Sequence, residues 1–482
     1  MNERTKRAWP IAATALLIGG MITWQSFEIR KGTLTNTDEL LTAERTREML
    51  LLGRSSVHLN FQLSFAKPPL QYWLTSLTLD KIDNREVTVR IWPLIFGGLT
   101  ACAIGWLAFL FDPTRPWLIF LSVSLLVSCP PFLTETSRAL LDSGLMFFAT
   151  LTIIFAHLAR KQPAWWLAVG ASCWLGALQK IPLGYLIWLF VLFTRLSSAR
   201  ERAALRSAWL VIAIFLAILD GALWPLIQLT KCHCSIAEAF SIREAFVLTG
   251  PSRLGQRPYL EIPMHLSMVW VGGGASALLA PVIILFSKKW RARAAFAELS
   301  VLCLSVIVLA VLLNFRSARY ILPIIPSLCL LLAVVLLWLI EKRPAIKMTG
   351  IAAVLLFFAI GLAQGHTQIG HRRDNVPDHL RIAEELGARQ EAGLPILIIR
   401  PEVGKEVLDP LFYMFYGNVR FPVHRLSPEE FGKTSPSVPA MGICLTRDLP
   451  LLREKYGDPI IQRQCGDIIL WRVGNRKLQP GP

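Results

Sequence analysis

Charged residues are scarce in this chain: they make up 17% of its 482 residues, whereas about 25% is usual in soluble domains. Hydrophobic residues make up 54%, so a disordered chain or an ordinary soluble enzyme is excluded. There is no GxxxxGK[ST] phosphate loop, no HExxH motif and no Asp-x-Asp pair, so the usual nucleotide, zinc-protease and nucleotide-sugar cation sites are missing. No Asn-x-Ser/Thr sequon occurs, which favours a bacterial membrane over a glycosylating secretory pathway.

The hydrophobic residues are grouped into runs long enough to cross a bilayer. A spanning helix needs about 17–25 apolar residues, because the hydrocarbon core is about 30 Å thick and each residue rises about 1.5 Å. Such runs are helical because their backbone polar groups must be satisfied internally. The sequence therefore predicts a polytopic α-helical membrane protein with about eleven spans, and as many as thirteen. The eleven runs are 9–27, 91–111, 117–133, 139–159, 164–179, 181–194, 208–230, 264–287, 295–315, 320–340 and 345–364.

Basic residues in the short loops predict the orientation. They concentrate in every second loop. The positive-inside rule assigns these loops, and with them the N-terminus, to the cytoplasm. The long loops 28–90 and 229–263 and the tail from about residue 366 are then extracytoplasmic. The first run is long and lacks a small-residue cleavage site, so we expect an uncleaved anchor. The prediction is a multi-pass protein of the bacterial inner membrane with its tail in the periplasm.

The net charge of +17 needs no nucleic-acid partner. Residues 366–482 carry 16 basic and 14 acidic side chains, so most of the excess lies in the membrane part. The cytoplasmic bias and contact with anionic lipid account for that excess. No basic recognition helix is visible, so nucleic acid is not expected as a partner, whereas the lipid bilayer is.

The outer segments predict two parts, a membrane domain over 1–365 and a small soluble α/β domain over 366–482. Interfacial helices are expected at about 38–52 and 69–80. In the first of them the leucines and Met49 would face lipid. Its charged side chains would face water; they are Glu44, Arg45, Arg47 and Glu48. Asn36 or Thr37 is a plausible N-cap and Gly53 a plausible stop for this helix.

The tail reads as alternating helices and strands. Helices are predicted at 377–391 and 448–456, and strands at 394–400, 442–445 and 467–473. It carries no catalytic signature, so a structural or docking role is the simplest reading. Cys444 and Cys465 could form a disulfide in an oxidising compartment, and the sequence leaves this open.

Charged residues near the predicted outer face are the candidates for chemistry, because ionisable groups at a membrane are costly and need a partner or a function. Asp38 and Glu39 open the first interfacial helix, where acids also simply suit a helix N-terminus. Lys67 precedes a rigid Pro-Pro pair and could bind phosphate or snorkel at the interface. Arg138 and Asp142 have the spacing of a helical pair.

Lys180, Arg257, Arg319 and Tyr320 fall at the same predicted face. Each of these residues alone is more simply structural. Together they predict an outward-facing cavity that holds carboxylates and several cations, and phosphate at the membrane surface is the natural anion for it.

These candidate residues and the short motifs around them, taken in chain order, resemble those of the lipid-linked-sugar glycosyltransferases of the GT-C class, in particular the superfamily of aminoarabinose transferases and protein O-mannosyltransferases. The likeness covers about residues 9–340 and a similar outer tail. The motifs that carry it are Asp38-Glu39, Lys67-Pro68-Pro69-Leu70 with Tyr72-Trp73, Ala139-Leu140-Leu141-Asp142, Gln179-Lys180-Ile181-Pro182, Gln256-Arg257-Pro258-Tyr259 and Ser317-Ala318-Arg319-Tyr320-Ile321-Leu322-Pro323.

The resemblance implies transfer of a sugar from a polyprenyl-phosphate donor to a lipid or protein acceptor outside the membrane, with inversion at the anomeric carbon. It implies that Asp38, with Glu39 beside it, acts as general base and that Asp142, supported by Arg138, positions substrate. The donor phosphate would be bound by Lys67, Lys180, Arg257 and Arg319, with Tyr320 in support.

Two departures bear on metal and substrate. The aminoarabinose transferases have zinc-binding glutamate and histidine at positions that here resemble Ala66 and Gln256. Neither residue is a zinc ligand, so no metal cofactor is expected. Leu41 and Thr42 replace tyrosine and arginine of the family, so aminoarabinose transfer to lipid A does not follow. Two other functions stay open, a transporter or flippase of lipid-linked sugar and a catalytically inactive scaffold homologue.

Overall fold

The structure is a computed structural model in which the chain forms two compact units. It describes residues 3–54, 56–64, 67–180, 183–196, 207–232, 273–291, 293–312, 318–342, 347–370, 374–400, 407–433 and 439–474. The first unit comprises Met1–Arg30, Phe65–Leu74 and Arg90–His371. The second comprises Lys31–Ser64, Thr75–Val89 and Arg372–Pro482. The tail therefore groups with two segments of the first long loop, rather than by itself as the predicted division at residue 365 would have it.

Long apolar helices build the first unit. The first of these along the chain are α1 (Glu3–Glu28) and α4 (Arg85–Phe111), the first turn of α4 grouping with the second unit; a short helix, α3 (Leu70–Ser76), lies between them. The later helices are α5 (Pro116–Val127), α6 (Pro130–Thr136), α7 (Asp142–Ala159), α8 (Trp165–Gln179), α9 (Leu183–Leu196), α10 (Ala208–Cys232), α11 (Gly273–Phe286), α12 (Lys288–Arg291), α13 (Ala294–Leu312), a 3-10 helix (Ala318–Ile324), α14 (Ile325–Lys342) and α15 (Lys347–Gly370).

Every predicted apolar run contains a helix, but fewer helices meet the requirements of a full span. Within the described ranges five are long and apolar enough to cross a membrane, or six if α5 and α6 are one bent span. Residues 264–272 of the eighth predicted run lie outside these ranges. A helical membrane protein is thus observed, while the count of eleven stays a prediction.

The run predicted at 117–133 is broken rather than straight. Helices α5 and α6 meet at an angle of 68° around Ser128 and Cys129. Pro130 and Pro131 follow at once; proline cannot donate the helical hydrogen bond, and it fits the first turn of a new helix. Gly361 of α15 lies against the carbonyl of Ser128, where a larger side chain would collide. The break is therefore packed within the first unit.

The second unit contains a five-stranded sheet. Its strands are β3 (Ile396–Ile399), β4 (Val423–Leu426), β5 (Ala440–Leu445), β6 (Ile460–Cys465) and β7 (Ile468–Val473). Their order in the sheet is β4-β3-β5-β7-β6. Strand β3 pairs in parallel with β4 and β5, while β7 pairs antiparallel with β5 and β6. The helices are α16 (Pro377–Arg389), α17 (Pro410–Tyr416), α18 (Pro428–Lys433) and α19 (Leu449–Tyr456).

Both tail helices and all three tail strands predicted from the sequence are present with shifts of a few residues. Strands β4 and β6 and helices α17 and α18 were not predicted. For the strands burial explains the difference, because β3 and β5 are wholly buried runs whereas half or more of the residues of β4 and β6 are exposed. Cys444 and Cys465 are both free, and β7 lies between their strands.

Helix α2 (Thr37–Leu52) begins and ends as predicted. Asn36 is its N-cap and accepts the Asp38 N–H, and the Gly53 N–H bonds to the Met49 carbonyl at a φ of 120°. The predicted exposure of its charged face is wrong. The side chains involved are buried, and they are Glu44, Arg45, Arg47 and Glu48. Periodicity alone could not reveal this, because it identifies opposite faces of a helix and not what covers each face.

The predicted second interfacial helix is shorter than expected. It is α3, which ends at Ser76, and its Tyr72 is fully buried within the protein. Before it, β1 (His58–Leu59) and β2 (Gln62–Leu63) form a hairpin with Asn60 and Phe61 in its turn, both at positive φ.

Candidate active site

Asp142 and Lys180 form an ion pair in the first unit. Lys180 Nζ lies 2.7 Å from Asp142 Oδ1, and the two side chains are 16% and 5% exposed. Asp142 is the first residue of α7, while Lys180 caps the C-terminal end of α8 in an extended conformation. The helical pairing of Arg138 with Asp142 is wrong, because α7 starts only at Asp142 and leaves Arg138 in the preceding turn.

A glycine allows the two helix ends to approach each other. Gly144, in the first turn of α7, lies against the side-chain amide of Gln179, and even a methyl group there would collide with it. The Gln179 Nε2 in turn lies 3.4 Å from Gln71 Oε1 on α3. This contact places α3 beside the end of α8, which Lys180 follows.

Arg319 and Tyr320 join the same cluster from the 3-10 helix. Arg319 Nε lies 3.7 Å from Glu135 Oε1 at the end of α6. Lys180 Nζ lies 5.6 Å from the centre of the Tyr320 ring, within the range of a cation–π contact. Sequence reasoning missed Glu135, although an acid directly after an apolar run is a recognisable signal. The end of α8 and the 3-10 helix thus converge on the residues that flank the turn between α6 and α7.

Arg138 lies in that turn and is buried, with 3% of its surface exposed. Its Nε is buried without a hydrogen-bond partner, and no ion pair of its guanidinium is found among the described residues. The predicted support of Asp142 by Arg138 is therefore replaced by support from Lys180.

Asp38 and Glu39 belong to the second unit, whereas Lys67 belongs to the first. Asp38 is partly exposed in the first turn of α2 and Glu39 is buried. Arg257, Ala66 and Gln256 lie outside the described residues. Among the residues that the structure does describe, no group of three or more His, Cys, Asp or Glu side chains has the arrangement of a metal site.

Residues of the tail hold the N-terminal end of α2 within the second unit. The Asp374 carboxylate accepts from Thr35 Oγ1 at 3.0 Å, and the Leu34 N–H donates to the Tyr416 hydroxyl at 2.8 Å. Asp409, the N-cap of α17, approaches Thr37 Oγ1 at 3.4 Å. These contacts link positions more than 300 residues apart, so no local pattern could predict them. They orient the turn that carries Asp38.

Buried carboxylates line the middle of α2. Arg47 binds Glu44 through its Nε at 2.9 Å, and its Nη1 donates to Asn418 Oδ1. Glu48 Oε2 accepts the Phe61 N–H at 2.8 Å, which holds the hairpin turn in its positive-φ conformation. Burial, helped by the nearby charge of Glu44, raises the pKa of Glu48 to about 8. These side chains stabilise the helix from inside the unit.

Comparison with known proteins identifies similar sequences and folds. The family model for dolichyl-phosphate-mannose-protein mannosyltransferase matches residues 43–233. An undecaprenyl phosphate-alpha-4-amino-4-deoxy-L-arabinose arabinosyl transferase of Pectobacterium carotovorum subsp. carotovorum (strain PC1) is 27% identical over 203 residues, which is 40% of this chain. That match spans only 36% of the relative's length.

Two solved structures extend the likeness to nearly the whole chain. ArnT from Cupriavidus metallidurans, bound to undecaprenyl phosphate, aligns with a TM-score of 0.69 and 16% identity over 97% of this chain and 99% of that one. The archaeal oligosaccharyltransferase AglB from Archaeoglobus fulgidus, in complex with an inhibitory peptide and a dolichol-phosphate, aligns with a TM-score of 0.57 and 10% identity over 87% and 65%. The predicted resemblance to GT-C membrane glycosyltransferases is confirmed, and the chain has their fold.

Proposed function

We propose that this protein is a glycosyltransferase that moves a sugar from a polyprenyl-phosphate donor to a lipid or protein acceptor at the extracytoplasmic face of the bacterial inner membrane. The observation that carries the proposal is the convergence of Asp142, Lys180, Arg319 and Tyr320 on one turn of the first unit. Two similar folds hold a polyprenyl phosphate, undecaprenyl phosphate in ArnT and dolichol-phosphate in AglB.

The chemistry suits this set of residues. An acceptor hydroxyl oxygen attacks the anomeric carbon, the bond from that carbon to the phosphate oxygen breaks, and polyprenyl phosphate leaves with the bonding electrons. The leaving group is already a stable anion, so cations that balance its growing charge matter more than a general acid. Lys67, Arg257 and Arg319 are assigned this role, together with Lys180.

Asp38 is assigned as the base that receives the acceptor proton, with Glu39 beside it. Asp142 orients Lys180 and, through it, the donor. Inversion at the anomeric carbon is part of the proposal, since one direct displacement inverts the centre. So is chemistry without a metal, because Ala66 and Gln256 offer no ligands where the zinc-binding relatives have them.

The topology completes the proposal. About eleven spans follow from the apolar runs, and a cytoplasmic N-terminus and an extracytoplasmic tail follow from the distribution of basic residues. Transfer in the periplasm is consistent with this arrangement, because a lipid-linked donor carries its sugar on a membrane lipid and so requires no nucleotide-sugar in that compartment.

Mass spectrometry of the cell envelope tests the proposal. Lipids and proteins from cells that produce the wild type are compared with those from cells that produce Asp38→Asn at the same level. Loss of a sugar from a defined lipid or protein in the variant supports transfer and identifies the acceptor. Identical envelopes would contradict it, and an altered distribution of donor across the bilayer without loss of product would favour a flippase.

A further inference from the structure

Arg138 is a buried cation whose charge the described residues do not balance. Its side chain is 3% exposed and its Nε has no hydrogen-bond partner. A buried guanidinium without a counter-ion destabilises a folded protein strongly, because its hydration is lost and nothing replaces it. A protein can tolerate that arrangement when an anion from outside the chain completes it.

The nearest acids along the chain are already engaged. Glu135, three residues earlier, faces Arg319, and Asp142, four residues later, binds Lys180. The cluster contains three cations and two carboxylates, so it carries one net positive charge. Lys180 and Arg319 have partners that offset their charges, which leaves the charge of Arg138 for a ligand.

The backbone around Arg138 is irregular. The turn from Ser137 to Leu141 interrupts the helices α6 and α7, and α6 is itself bent away from α5. In membrane proteins, irregular backbone at such a position lies within protein or lines a cavity. A guanidinium there presents a planar set of N–H donors that matches two oxygens of a phosphate.

We propose that Arg138 binds a phosphate group directly, which in the proposed reaction is that of the polyprenyl-phosphate donor. This inference rests on the proposed function for the identity of the lipid. It changes the role of Arg138 from a support of Asp142 to a ligand-binding residue.

Thermal unfolding of the full chain in lipid nanodiscs tests the inference. The probes are undecaprenyl phosphate, uncharged undecaprenol and inorganic phosphate. We expect undecaprenyl phosphate to stabilise the wild type and undecaprenol not to do so. Arg138→Gln should weaken the binding of undecaprenyl phosphate at least about tenfold, because a charge-assisted contact is lost. Arg138→Lys, which keeps the charge, should bind more tightly than Arg138→Gln.

Stability without ligand separates binding from a structural role. Arg138→Gln removes an unbalanced charge, so its ligand-free unfolding temperature should equal or exceed that of the wild type. The matched control is Arg195→Gln, because Arg195 is buried but donates to the Ala156 carbonyl at 2.7 Å and faces Glu298 at 3.8 Å. The control should unfold at a lower temperature and keep its affinity for phosphate.

Two outcomes would overturn the inference: wild-type affinity for both phosphate probes in Arg138→Gln, or a loss of ligand-free stability like that of Arg195→Gln. If inorganic phosphate stabilises the wild type through Arg138 while undecaprenyl phosphate does not bind, Arg138 is still an anion ligand. The assignment of the donor, and with it the proposed function, would then fail.

Discussion

Lys180 and Asp142 are 38 positions apart in the chain, yet their charged groups lie 2.7 Å from each other. The pair joins the end of α8 to the start of α7, and both side chains are mostly buried. A buried ion pair fixes a local arrangement but contributes little net stability, whereas the loss of one partner is costly. The arrangement of the cluster therefore depends on both residues.

Removal of the lysine charge should affect stability and activity together. Lys180→Gln leaves the Asp142 carboxylate buried without its cation, so we expect unfolding to become easier by about 3 kcal/mol. The double variant Lys180→Gln/Asp142→Asn should recover most of that stability but not sugar transfer. Thermal unfolding and a transfer assay measure the two effects. Equal stability of Lys180→Gln and wild type would show that the pair is not buried as described.

Asp38→Asn should lower the rate of transfer about 10²–10⁴-fold, because the amide cannot accept the acceptor proton. The Asp38 N–H still bonds to Asn36, so α2 should stay capped and the unfolding temperature unchanged. Asp458→Asn is the control, since that side chain is 92% exposed in the tail. The test is a transfer assay at saturating donor, and full activity of Asp38→Asn would rule out the base.

Gly144→Ala should displace the end of α8. The added methyl group collides with the Gln179 amide, and overpacking of this kind costs about 1–3 kcal/mol. Because Lys180 follows Gln179, we expect transfer to fall as well. Gly144→Ala/Gln179→Ala removes the colliding amide and should recover stability relative to Gly144→Ala alone. Unfolding temperatures of both variants decide whether this contact is as tight as the structure indicates.

The second unit should become less stable as the pH rises from about 4.5 to about 8. The pKa of Glu48 is raised to about 8 in the folded protein, so the folded state retains a proton that the unfolded chain has released in this range. Glu48→Gln mimics the protonated form and can still accept the Phe61 N–H. Its unfolding temperature should match the wild type near pH 5 and exceed it at pH 9. A constant difference at all pH values would contradict the assignment.

Chelation should leave transfer unchanged. The expectation rests on Ala66 and Gln256, which cannot bind zinc at the positions used by the aminoarabinose transferases. Transfer is measured before and after treatment with EDTA, with a zinc-dependent transferase as the positive control. Inhibition that added zinc reverses would mean that other residues bind a metal.

Much of the architecture could be read from the sequence because it depends on local patterns. Apolar runs predict the helices of the first unit, and the Asn36 cap and Gly53 stop predict both ends of α2. The burial and contacts of individual side chains were harder to predict. By periodicity Glu44 and Glu48 belong to a water-facing stripe. Only the tertiary structure reveals that Phe61 contacts Glu48 and that Asn418 contacts Arg47, the partner of Glu44.

In the candidate site, too, individual residues could be selected from the sequence but their contacts could not. Asp142, Lys180, Arg319 and Tyr320 could be selected from the sequence because charged and aromatic residues at helix ends are conspicuous. Which of them pair could not be predicted, since the start of α7 lies after Arg138 and the contact of Gly144 with Gln179 depends on two separate helices. Glu135 directly follows an apolar run and could have been selected on that ground, but its pairing with Arg319 could not, because Arg319 is distant in sequence.

The segments on either side of α2 are synthesised long before the tail residues that bind them. The Thr33 hydroxyl donates to the carbonyl of Asp374, 341 positions later. The side-chain amide of Asn60 donates to the carbonyl of Val423 on the edge strand β4 and accepts from the N–H of the same residue. A ribosome that has translated only the membrane helices has not yet produced these partners. A nascent or prematurely terminated chain thus presents Asp38 on a helix end that lacks its anchors, and we expect the proposed sugar transfer to require the translated tail.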